Sequence, residues 1–218
     1  MSDKRIFVAH DTLAAVGEGQ WTNQKGNKLG YEVVMDFYTQ MAIEGRCFQV
    51  RAGTITTPAV GDIVITDTAA DMSADCLTGV TIIPVFLNVS LNLAANTLVE
   101  VAGKSVTGNS TVGAAFVPLP LKSDGPAATS TARVAETGAA AVGVTVPAEA
   151  ATTTIRHFSW GSPIGAGAWD TWYDWEPVAP PILTGPRCFY FQIAAGATAG
   201  PSYYASFDYI ELPSINLA

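Results

Sequence analysis

Charge is scarce in this 218-residue chain: 14% of its residues are Asp, Glu, Lys or Arg, against about 25% in an ordinary soluble domain. Cations are scarcest, with no Lys or Arg between Arg51 and Lys104. The net charge is −8. Such a balance excludes a phosphate-backbone face, which needs clustered Lys and Arg, and opposes docking on an anionic membrane. Lys4, Arg5, Lys25 and Lys28 are interleaved with Asp3, Asp11 and Glu18, so the N-terminus is no basic arm. Long apolar runs are also missing. The longest, Val80 to Leu93, is broken by Thr81, Pro84, Asn88, Ser90 and Asn92, whereas a spanning helix needs about 20 mostly apolar residues. Yet 49% of the residues are hydrophobic, which excludes wholesale disorder. A chain with so few charges is expected to bury surface against other subunits or to cover it with Thr, Ser, Asn and Gly.

Histidine is limited to His10 and His157, and cysteine to Cys47, Cys76 and Cys188. No Cys-x-x-Cys or Cys/His cluster is present, so no zinc site is expected and the thiols are read as buried and free. The Gly-x-Ser-x-Gly elbow is lacking, and a triad assembled from Ser159 or Cys188 would have no local signature. Gly161-x-x-x-Gly165-x-Gly167 is followed by neither Lys-Ser/Thr nor a helical pattern, which excludes a phosphate loop. No apolar segment follows Lys4-Arg5, so a cleaved secretory signal is not expected. Synthesis in a reducing cytoplasm fits the cysteines. On that reading the glycosylation patterns Asn88-Val89-Ser90 and Asn109-Ser110-Thr111 go unused. No catalytic residue, cofactor or metal is expected.

What is present is period two. In Val85 to Leu93 the residues Val85, Leu87, Val89, Leu91 and Leu93 alternate with Asn88, Ser90 and Asn92, the pattern of a strand with one buried face. Ala94 to Thr97 reads as a turn and Leu98 to Val101 as the returning arm of a hairpin. Further strands are expected at Phe48–Ala52, Ile63–Thr66, Ala115–Leu121, Val142–Val146, Thr153–Trp160, Val178–Leu183, Cys188–Ile193 and Tyr203–Leu212, the last two as a closing hairpin. Their Gly- and Pro-rich spacing predicts an all-β, antiparallel sandwich or barrel of about 8–10 strands over residues 45–218. Residues 1–44 are expected to form an arm, ordered only against a partner. Within it Tyr31 to Ile43 fits both the helical and the alternating template; a short helix stopped by Gly45 is preferred. The Ala/Thr/Gly/Val-rich stretch Ala127 to Ala151 is read as an edge region of the same domain.

The densest polar-aromatic cluster is Trp169, Asp170, Trp172, Tyr173, Asp174, Trp175 and Glu176, read as part of a long loop. Its leading interpretation is a loop whose tryptophans seal the sandwich end or a subunit contact. Glycan binding comes second, because sugars stack on aromatic rings while carboxylates accept from their hydroxyls. A glycosidase pair of Asp174 and Glu176 comes third. Asp67, Asp71 and Asp75 could offer oxygens to Ca²⁺, but the spacing is not that of an EF-hand; a solvated acidic loop is expected. His157 is expected to be a packed or rim residue.

The segments Arg51 to Pro58, Gly61 to Thr68, Ile82 to Val85 and Gly200 to Pro213 resemble virion structural proteins of tailed bacteriophages, in texture over most of residues 45–213. The resemblance implies a jelly-roll sandwich serving as a head decoration protein, a fibre or spike head, or a minor capsid component. It also implies a homo-oligomer, with a trimer favoured, and a major capsid protein or other virion protein as partner. Because a net charge of −8 is repelled by packaged DNA, the outer surface of the virion is the expected place. No direct nucleic-acid or membrane contact is expected.

Overall fold

A computed structural model describes residues 37–92, 97–135, 143–164, 171–196 and 200–214. The chain divides into two compact units, Met1–Gln40 and Met41–Ala218. Helix α1 (Phe37–Ile43) spans the division; residues 31–36 of the expected helix lie outside the described residues. Gly45 ends α1 as expected, at a φ of 73°. The amide of Gly45 donates to the carbonyl of Ala42 and that of Arg46 to the carbonyl of Met41. This is the paired closure that a glycine in the left-handed region permits after a helix.

The strands are β1 (Cys47–Ala52), β2 (Ala59–Val60), β3 (Ala69–Ala70), β4 (Met72–Cys76), β5 (Val80–Asn92), β6 (Thr97–Thr107), β7 (Ala114–Phe116) and β8 (Leu119–Pro120). They continue with β9 (Thr131–Val134), β10 (Val144–Thr145), β11 (Ile155–Ile164), β12 (Thr171–Trp175), β13 (Leu183–Thr184), β14 (Arg187–Ala195) and β15 (Ser202–Pro213). Sheet one has the order β12-β5-β15-β1-β8, with β13 beside β5 and β2 beside β15. Sheet two has the order β11-β6-β14-β4-β9-β7, and β3 pairs with β10 in a small third sheet. The fold is an antiparallel β-sandwich, as the alternating pattern predicts. Among the described strands, those of five residues or more are β1, β4, β5, β6, β11, β12, β14 and β15. In that order they lie in sheets one, two, one, two, two, one, two and one.

The core lies between the two sheets. Sheet one contributes Val50, Leu87, Val89, Leu91, Phe207 and Tyr209; sheet two contributes Met72, Val99, Val101, Phe189, Phe191 and Ile193. Phe207 bridges the layers, with its ring centroid 5.5 Å from Phe189 and 4.8 Å from Phe191. Each such side chain stabilises the fold by roughly 1.5–3 kcal/mol through burial alone. Pro84 sits inside β5, where a missing N–H would ordinarily break a ladder. On one edge of β5 it falls in the gap between β13, which pairs with Thr81 and Ile82, and β12, which pairs with Leu87 to Leu91. On the other edge β15 shifts register at Asp208/Tyr209, so that Val85 is left over as a bulge.

Sheet two is covered on its outer face as well. Ala70, Val106, Val144, Val146, Cys188 and Tyr190 form a second apolar cluster there. That is why β14 and β4 are buried on both faces, and why β14 reads as an almost unbroken apolar run. The Ala/Thr/Gly/Val-rich stretch supplies part of this cover through β10, and its residues 136–142 lie outside the described set.

Several expectations need correction. Val85–Asn92 and Leu98–Val101 are strands, but not a hairpin: β5 belongs to sheet one and β6 to sheet two. The same holds for β14 and β15, which cross between the sheets instead of closing on each other. Alternation sets which face of a strand is buried and leaves open which strand lies beside it. Ile63–Thr66 is a bent connection, not a strand, and Val178–Leu183 shrinks to β13. Ala115–Leu121 splits into β7 and β8, which join different sheets.

Candidate functional site

The polar-aromatic cluster is built on β12, an edge strand of sheet one, and not on a loop across Thr171–Trp175. Trp169 and Asp170 lie outside the described residues. Strand alternation divides the rest. Tyr173 and Trp175 turn inward: the Tyr173 ring stacks on Trp160 at 4.9 Å, and Trp175 lies 4.8 Å from Phe158 and 5.9 Å from Phe189. Burial pushes the Tyr173 phenol above its ordinary range. Trp172 points outward with 64% of its surface exposed. Asp174 and Glu176 are exposed too, and the Asn88 amide donates to Asp174 Oδ1 at 2.6 Å. Of the seven residues that the sequence groups, the five described ones thus separate into a core pair, Tyr173 and Trp175, and an outward Trp172, Asp174 and Glu176.

The acidic set is not a solvated loop. Asp67 is exposed, but Asp71 and Asp75 are 3% and 2% exposed. Asp71 precedes β4 and accepts from the Ile193 amide at 2.6 Å. Its burial, with Asp62 nearby, pushes its carboxyl well above the usual range despite that bond. Asp75 lies within β4 and accepts from the Ser110 amide at 2.8 Å and the Ser110 hydroxyl at 2.7 Å. Burial raises its carboxyl as well, and Cys188 is its cross-strand partner on β14. Both carboxyls fasten connections to β4 and β14. Among the described residues no three His, Cys, Asp or Glu side chains converge as a metal site.

His157 is packed, as expected. It occupies the bulge in β11 between Arg156 and Phe158. Its Nε2 is 2.9 Å from Ser105 Oγ and its ring is 5.3 Å from Phe189; burial, then Arg187, lowers its pKa. His10 lies outside the described residues. All three cysteines are buried, and none is in a disulfide. Burial pushes the Cys47 thiol up to about 12 and the Cys76 thiol up to about 11, which removes thiolate nucleophiles at neutral pH.

Two concave features escaped the sequence reading. A groove of about 540 Å³ lies beside β6 and β11, walled by Ile63, Val64, Leu98 and Trp160. Its polar element is Glu100, which accepts from the Ser159 hydroxyl at 2.8 Å. A smaller cleft of about 260 Å³ is lined by Lys104, Glu149, Thr154 and Arg156. There Lys104, 3% exposed, and the Tyr190 hydroxyl both donate to Glu149 Oε1, at 2.6 and 2.8 Å. The signal for the groove was the uncharged run Ile63-Val64-Ile65, which period-two reasoning assigns to a strand. No protein-family model, curated protein or solved structure matches the chain.

Proposed function

We propose that this protein is a non-catalytic structural component of a virion, carried on the outer surface as a decoration, cement or minor capsid subunit. The observation that carries the reading is the order of the long strands. The four-strand runs β12-β5-β15-β1 and β11-β6-β14-β4 place the first strand beside the last and pair every strand antiparallel. This order supports reading the sandwich as a jelly roll, an arrangement that recurs in viral capsid and lectin domains. Fold alone does not assign function, so the surface chemistry must agree. The net charge of −8 disfavours a place against packaged DNA. Exposed apolar side chains such as Val117, Trp172 and Ile182 favour contacts with other subunits. The test combines solution mass with binding to shells assembled from the major capsid protein of the same genome. A multimer at micromolar concentration that adds to such shells is expected; a stable monomer without affinity for them overturns the reading.

The second reading is a glycan-binding module, favoured by the outward Trp172 beside Asp174 and Glu176. It predicts signals on a glycan array that disappear in Trp172→Ala. An array silent for the wild type removes it.

A further inference from the structure

We propose that copies of this chain join head to tail, with the β8 margin of sheet one in one copy packed on the β12–β13 margin of the next. The inference rests on the assembly reading above and assigns it a surface. Among the described residues the terminal strands of sheet one are β12 and β8, so the two margins lie on opposite sides of the same sheet. Each carries exposed apolar side chains. On the β8 margin these are Val117, Leu119 and Leu121, exposed to 75%, 38% and 41%. On the other margin they are Trp172, Val178 and Ile182.

Charge selects another copy as the occupant. Residues 105–121 and 177–186 contain no charged side chain, so the apolar contacts add no repulsion between molecules that each carry −8. The rims have opposite signs. Arg51 is exposed on β1, two residues from Gln49, the partner of Leu119. Lys122 follows Leu121 and makes a surface pair with Asp124 at 3.4 Å. The facing rim presents Asp174 and Glu176. Each margin therefore complements the other better than it complements itself. Such a contact is heterologous, and it closes into a ring when its rotation permits.

The contact is one of side chains, not added strands. The Leu121 amide donates to Cys47 O at 2.9 Å, and Leu119 faces Gln49 in the same ladder. Alternation then directs the amide positions of residues 118 and 120 away from β1. Both are proline, so the open edge lacks the donors that a further strand would use.

Mixing two edge variants tests the proposal. Val117→Asp and Ile182→Asp each place a charge on one margin; both positions are exposed, and the variants are expected to melt as the wild type does. Light scattering at micromolar concentration is expected to give a multimer for the wild type and monomers for each variant alone. An equimolar mixture is expected to give dimers, because one intact β8 margin still meets one intact β12–β13 margin. A variant that stays multimeric alone overturns the proposal, the outcome for a two-fold contact of like margins, in which only one of the two substitutions dissociates the chain; monomeric variants whose mixture stays monomeric overturn it as well. A monomeric wild type overturns it too, but the assembly reading then falls only if shells also fail to bind the chain. Should either Asp variant unfold, Val117→Ser and Ile182→Ser are read in the same way.

Discussion

The ring of Phe158 lies over Gly103, in the space that a Cβ at residue 103 would occupy. The two face each other across the β11–β6 ladder, next to the bulge at His157. Phe158 also stacks near Tyr173 and Trp175, so this glycine sets the depth at which an aromatic group packs under the edge of sheet two. Gly103→Ala is expected to destabilise the domain by about 1–3 kcal/mol through overpacking. Combining it with Phe158→Leu should recover part of that loss. Urea denaturation of the two single variants and the double variant measures the coupling, and strict additivity would contradict the contact.

Trp172 and Trp175 are chemically alike and two residues apart, yet they make opposite contributions. Trp175→Ala removes a ring packed against Phe158 and Phe189 and is expected to cost about 3–5 kcal/mol. Trp172→Ala removes an outward side chain and is expected to stay within about 0.5 kcal/mol of the wild type in the dissociated chain. Chemical denaturation midpoints of the two variants decide this. Equal losses would contradict the alternation of β12.

That contrast shows what was legible in the sequence. Alternation in Val85 to Asn92 predicts the buried Leu87, Val89 and Leu91, because side-chain direction along a strand is a local property. Pairing is not local. The segments on either side of residues 93–96 look like hairpin arms, but β5 pairs with β12, β13 and β15 and β6 with β11 and β14, all at least 50 residues away. Asp71 and Asp75 fit a solvated loop in the sequence because acidic residues are seldom buried. Their partners, the Ile193 and Ser110 amides, come from distant segments that no local pattern reveals. The mixture of rings and carboxyls in Trp172 to Glu176 was visible in the sequence, but only β12 itself could sort inward rings from outward ones.

Glu211 organises the connection before β9. Its carboxylate accepts from the amides of Thr129 and Ser130 and from the Ser130 hydroxyl, and the Tyr209 hydroxyl is 2.6 Å from the same Ser130 oxygen. Hydrogen bonds to a charged acceptor contribute about 1.5–3 kcal/mol. Glu211→Gln is expected to speed hydrogen exchange at the Thr129 and Ser130 amides while leaving the β14 amides protected. Unchanged exchange at residues 129 and 130 would show that the loop is held by other contacts.

The buried aspartates give stability a pH dependence of defined sign. Burial raises the folded-state pKa values of Asp71, Asp75 and Asp62 above their unfolded values, which lie near about 3.9. Between the unfolded and the raised folded values the native state binds more protons than the unfolded chain, so unfolding releases protons and stability falls as pH rises. Their contribution is fully present in acid, below about pH 4, and is lost as pH climbs through the raised values. Asp71→Asn keeps a carbonyl oxygen for the Ile193 amide and removes the titrating group. Wild-type protein is therefore expected to melt at a higher temperature at pH 5 than at pH 8, and Asp71→Asn to narrow the difference by gaining stability at pH 8. Thermal scans of both proteins across that range provide the measurement; because His157, whose pKa is lowered by burial, acts in the opposite sense, the readout is the difference between the two proteins, and a difference that does not change from pH 5 to pH 8 would refute the assignment.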